Sequence, residues 1–110
     1  AEVCRGSFAI SVCPSENVES PTIVGAQAAN ELLNIIGIKA SFVLTEYNDK
    51  IYISSRSIDE INVQIIMEKL GGGGHLNVAG AQLTGVTIVQ AKRMIQDTLD
   101  EMLKEGDIEE

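Results

Sequence analysis

The sequence predicts an α/β domain: a mixed β-sheet of about four to five strands packed against helices. Three observations carry that reading. Strand-like and helix-like segments alternate along the chain in the order β-α-β-β-α-loop-β-α. Two of the strands meet through Asn48-Asp49, a dipeptide that favours a tight hairpin and so forces at least one antiparallel pair. The composition is 45% hydrophobic but only 4% aromatic, with no Trp. The core is therefore made of Ile, Val, Leu and Ala, as in a sheet covered by helices. At 110 residues the chain has the length of one domain.

Taken in order, Phe8 to Cys13 is a continuous small-apolar run, read as a buried strand closed by Pro14. Ser15 to Ser20 is polar and loop-like. Ser20-Pro21 then offers an N-cap followed by proline in the first turn. From Thr22 to Ile36 the apolar positions 23, 26, 29, 33 and 36 keep helical spacing, and Gly37 is a stop signal. Ala40 to Tyr47 and Lys50 to Ser55 are the two hairpin strands. Ser57 with Glu60 suits a capping box and Asn62 is an equally good cap, so the next helix is placed near residue 60 and ends at the glycines. Gln82-Leu83 and neighbours form a short strand after Gly80. Val86 to Lys104 is the clearest helix, with Ile88, Ala91, Ile95, Leu99 and Met102 on one stripe.

Charge narrows the function. The net charge is −8, and Asp97, Asp100, Glu101, Glu105, Asp107, Glu109 and Glu110 crowd the end of the chain. Tight binding of a long nucleic acid needs many Lys and Arg contacts, and the 8 basic residues are scattered. A small phosphorylated ligand needs only a local positive site. Cys4 and Cys13 are read as reduced thiols, because the chain lacks the cysteine density of a disulfide scaffold. No signal peptide and no apolar stretch of spanning length is present.

The most informative segment is Gly71-Gly72-Gly73-Gly74-His75, which follows the helix-like run Val63 to Leu70. Glycines admit φ > 0 and place no Cβ between backbone and ligand. Successive N–H groups in such a turn can converge on an anion. His75, the single histidine, adds a donor at the same point. A flexible linker is the alternative, but the run continues into Leu76-Asn77-Val78-Ala79-Gly80-Ala81, which is too apolar for one. The second segment is Ser54-Ser55-Arg56-Ser57 at a strand end. Arg56 offers a planar fork for phosphate or carboxylate, and the hydroxyls of Ser55 and Ser57 can complete its shell. Paired carboxylates at metal spacing and a Cys–His cluster are absent, so the residues compose a binding site, with no catalytic residue and no metal ligand among them.

The glycine–histidine block, with Ser55-Arg56-Ser57 upstream, resembles the DHHA1 domain of the DHH phosphoesterase superfamily. The four-glycine form followed by Asn-Val-Ala-Gly-Ala is most similar to the cyclic-di-AMP phosphodiesterases of Gram-positive bacteria. The resemblance spans nearly the whole chain, making residues 1–110 a single DHHA1 substrate-binding domain from the C-terminal part of a larger DHH–DHHA1 protein. It implies that Arg56 and Gly72-Gly73-Gly74-His75 hold the phosphates or nucleotide of a cyclic dinucleotide or short oligonucleotide. It also implies that a DHH domain of the same parent chain holds manganese, which this chain does not. The implied parent is anchored in the bacterial membrane with this domain in the cytoplasm, and a homodimer is compatible with it. The nanoRNA phosphodiesterases and RecJ-like exonucleases share the domain. So do alanyl-tRNA synthetases, as an RNA-binding module, where a basic face is expected.

Overall fold

A computed structural model describes residues 2–4, 7–13, 21–34, 37–58 and 61–106. The strands are β1 (Glu2–Cys4), β2 (Phe8–Cys13), β3 (Ala40–Tyr47), β4 (Lys50–Ser57), β5 (Gly73–His75) and β6 (Val78–Thr84); the helices are α1 (Pro21–Leu32), α2 (Val63–Lys69) and α3 (Ile88–Glu105). They form one mixed sheet in the order β1-β2-β3-β4-β6-β5. Only β2 and β3 run parallel, joined through α1. The α/β architecture is the one predicted. The two three-residue edge strands, β1 and β5, extend the sheet to six strands; segments that short carry no readable alternation.

Local chemistry explains most boundaries. Asn48 and Asp49 have φ of 52° and 62°, the two positive values that a type I′ hairpin turn requires. Asn62 caps α2, its side-chain oxygen accepting from the Ile65 N–H at 3.2 Å. Ser57 is instead the last residue of β4. The proposed cap at Ser20 and the partner at Glu60 lie outside the described residues. Thr87 and Gln90 close a capping box on α3, and Gly106, in the left-handed region at φ 81°, ends it.

Residues along a strand alternate between the two faces of the sheet. One face carries Phe42, Leu44, Ile51, Ile53, Ala79, Ala81 and Leu83, which pack with Val63, Ile66 and Met67 of α2 and with Ala91, Ile95, Leu99 and Met102 of α3. The last four are the stripe expected for α3, and each is fully buried. The other face is covered by α1. Gly25 permits that approach, since a Cβ there would stand 2.7 Å from the Ser54 hydroxyl oxygen. The Ser41 hydroxyl donates to the Ala29 carbonyl at 2.7 Å from beneath the same helix. Helix α1 packs on β2, β3 and β4. Among the described residues no helix packs along β6 and β5 on this side, so that part of the sheet is open. Cys4 pairs with Phe8, and Cys13 with Thr45. The ladder thus separates the two cysteine backbones by about five residues, on the order of 16 Å along the strand, too far for a disulfide.

Candidate functional site

The open part of the sheet is a cavity of about 630 Å³, within the range of small-ligand sites. Its floor follows from the strand register. Arg56 of β4 pairs with Val78 of β6, and Val78 with His75 of β5, so the three form one row across the sheet. Directly paired residues project from the same face. Neighbouring strands are about 4.8 Å apart, which sets the Arg56 and His75 backbones roughly 10 Å apart with Val78 between them. The next row on this face is Ser54–Gly80–Gly73, and the next is Tyr52–Gln82. Two of the three middle-row positions carry no side chain. The result is a bare trough walled by a cationic row on one side and an aromatic–amide row on the other.

Arg56 is half-buried. Its Nη1 donates to the Ser55 carbonyl at 2.7 Å, which fixes one edge of the guanidinium and leaves the other donors for the cavity. Burial lowers its pKa from the usual arginine value, because desolvation penalises the charged form. No ion pair to it forms among the described residues. An anion entering the trough therefore meets a positioned, partly desolvated, uncompensated cation.

The glycine run has a different structure from the anion-cradling loop expected from sequence. The Gly71 N–H donates to the Glu68 carbonyl at 3.1 Å and the Gly72 N–H to the Met67 carbonyl at 2.8 Å, so both amides are consumed in closing α2. Gly71 is left-handed, with φ 89°. Gly73 to His75 then form β5. A Cβ on Gly72 would overlap the Gly80 carbonyl oxygen and lie 2.7 Å from the Ala81 Cα; one on Gly74 would lie 2.5 Å from both the Ala79 Cα and the Val78 carbonyl oxygen. These two glycines let β5 lie against β6. Gly73 differs, because a Cβ there meets nothing within 4 Å.

Of the residues singled out by sequence, Arg56, Gly72, Gly74 and His75 line the cavity, and Gly73 lies in the row between its walls. Ser55 and Ser57 do not join them, because odd positions of β4 face the core. The buried Ser55 hydroxyl donates to the Ala79 carbonyl at 2.9 Å. The buried Ser57 hydroxyl donates to the Ile61 carbonyl at 2.6 Å and accepts from the Asn77 side-chain amide at 2.9 Å. Ser57 thus ties the end of β4 to the start of α2 and to the β5–β6 turn that carries His75. Tyr52, Val78 and Gln82 also line the cavity and were missed. The period-two pattern Tyr52-Ser54-Arg56 was the available signal for Tyr52.

Comparison with known proteins agrees with this fold. The profile of the DHHA1 domain matches residues 6–105. The chain belongs to the DHHA1 family. Cyclic-di-AMP phosphodiesterase PdeA of Listeria monocytogenes is 50% identical over 86 residues, which cover 77% of this DHHA1 domain and 13% of that protein. Cyclic-di-AMP phosphodiesterase GdpP of Bacillus subtilis is 38% identical over 104 residues, 93% of this domain and 16% of that protein. The domain therefore spans only a small part of these relatives. An exopolyphosphatase-related protein from Bacteroides fragilis has the same fold, with a TM-score of 0.71 at 22% identity, covering 84% of this domain and 29% of that chain.

Proposed function

We propose that this DHHA1 domain holds the phosphates of a dinucleotide for a cyclic-di-AMP phosphodiesterase that hydrolyses the cyclic molecule to linear pApA. The observation that supports this most directly is the Arg56–Val78–His75 row on an uncovered sheet face. It sets two nitrogen donors on either side of a surface with no competing acid among the described residues. The guanidinium fork and the imidazole engage phosphate oxygens, while the side-chain-free Gly80–Gly73 part of the middle row admits the bulk of the ligand. The relatives PdeA and GdpP act on this class of molecule by name.

The domain's part in that reaction is to bind and orient. Among the described residues no group of three His, Cys, Asp or Glu side chains converges to hold a metal ion. The described residues thus offer no donor set that fits manganese. We place the metal chemistry in a DHH domain of a longer, membrane-anchored protein, with the present domain on the cytoplasmic side. In the domain itself, no helix of the described residues is long and apolar enough to cross a membrane.

The test is Arg56→Ala beside Arg56→Lys, titrated with pApA by NMR on the isotopically labelled chain. Both variants will lose affinity, because lysine restores the charge without the bidentate fork, and both will keep the melting temperature. A lower melting temperature with unchanged affinity would make Arg56 a structural residue and overturn the proposal.

A further inference from the structure

We infer that the Tyr52–Gln82 row is the base-binding wall of this site, so that its ligand is a nucleotide and a bare phosphate chain cannot satisfy it. The inference rests on the phosphate reading of Arg56 and His75 and adds a second, chemically different contact. Tyr52 and Gln82 are paired directly across β4 and β6, on the face that carries Arg56, and both line the cavity. They stand four residues along the strand from Arg56, about 13 Å of backbone at the usual rise. Between the two rows lies Ser54–Gly80–Gly73, in which Ser54 is buried beneath α1 and the two glycines form the uncovered part.

That strip is kept low by the fold itself. A Cβ on Gly80 would stand 2.9 Å from the Ile53 carbonyl oxygen, so the floor beside Tyr52 and Gln82 stays free of side chains. The Gln82 side chain is exposed and makes no hydrogen bond within the described residues. Its amide N–H and carbonyl groups are free for a ligand. Tyr52 is half-buried and lines the cavity.

A phosphate chain uses only the donors of such a wall, the Gln82 amide N–H and the Tyr52 hydroxyl. Every oxygen it presents is an acceptor, so the Gln82 carbonyl and the negative face of the ring are left without a partner. A nucleobase gains from both residues. Its π face stacks on an aromatic ring, and a carboxamide can accept from the adenine N6 amino group while donating to a ring nitrogen. The two walls therefore divide the ligand: phosphate toward Arg56 and His75, base toward Tyr52 and Gln82.

The test titrates the labelled chain with two probes, pApA and inorganic tripolyphosphate, and compares wild type with Gln82→Ala, Tyr52→Ala, Tyr52→Phe and Arg56→Ala. Gln82→Ala and Tyr52→Ala will weaken pApA by about 5- to 150-fold, the effect of losing a base contact, and weaken tripolyphosphate far less. Tyr52→Phe, which keeps the ring, will retain pApA affinity. Arg56→Ala will weaken both probes. If Gln82→Ala and Tyr52→Ala leave pApA unchanged, or weaken both probes alike, the base wall is refuted while the Arg56 result still supports phosphate binding. If Arg56→Ala changes neither probe, or the wild type binds neither, the phosphate reading fails and the base wall falls with it.

Discussion

Replacing Gly73 by valine separates the demands of fold and ligand more cleanly than any other change in the glycine run. A Cβ at Gly73 enters open space, and the residue is outside the left-handed region. It sits in an edge strand, where a β-branched side chain is favoured. Removing a glycine from a backbone conformation that other residues can adopt gains about 0.4–1 kcal/mol by restricting the unfolded chain. For a domain of this size the melting temperature will rise by a few degrees, at roughly 4–8 °C per kcal/mol. Gly72→Ala is the opposite case. Its Cβ overlaps the Gly80 carbonyl oxygen and sits 2.7 Å from the Ala81 backbone, so β5 must move off β6. Overpacking of this kind costs about 1–3 kcal/mol, and the melting temperature will drop by about 4–24 °C. The valine side chain at Gly73 meanwhile fills the strip between Arg56 and Tyr52 rows, so Gly73→Val will be folded and unable to bind pApA. The assay is thermal unfolding by circular dichroism beside an NMR titration with pApA. A stable Gly73→Val chain that binds pApA like the wild type would refute the trough as the ligand's bed. A stable Gly72→Ala chain would refute the close β5–β6 approach.

His75→Ala will weaken pApA by about 1.5–3 kcal/mol, the value of one hydrogen bond to a charged group, without lowering the melting temperature, as measured by the same titration. Ser57→Ala will do the reverse at the level of stability: it removes the donor to the buried Ile61 carbonyl, at a cost of about 1–3 kcal/mol in denaturant unfolding. With manganese in excess, the 110-residue chain will leave cyclic-di-AMP intact over a timed chromatographic assay, because its described residues offer no metal-ligand set.

The sequence alone determined whatever depends on short-range periodicity and backbone chemistry. The 3.6-residue spacing of Ala91, Ile95, Leu99 and Met102 placed α3 and its buried face, and Asn48-Asp49 placed the β3–β4 turn, because each signal lies within a few residues of its cause. Arg56 and His75 were also legible, since a guanidinium at a strand end and a histidine after four glycines are chemically conspicuous wherever they fold. Tertiary structure decided which residues share a face. Ser55 and Ser57 flank Arg56 in sequence yet point into the core, because the odd positions of β4 lie on the sheet face packed by α2 and α3. The glycine run was read as a loop because glycine marks loops when its neighbours are unknown; close approach to β6 made Gly73 and Gly74, with His75, a strand, and the end of α2 took the first two amides. Tyr52 and Gln82 are thirty positions apart, and only the register of β4 against β6 brings an aromatic ring and a carboxamide into one row. Pairing register is a long-range choice set by which faces must be buried, and no local pattern in this chain encodes it.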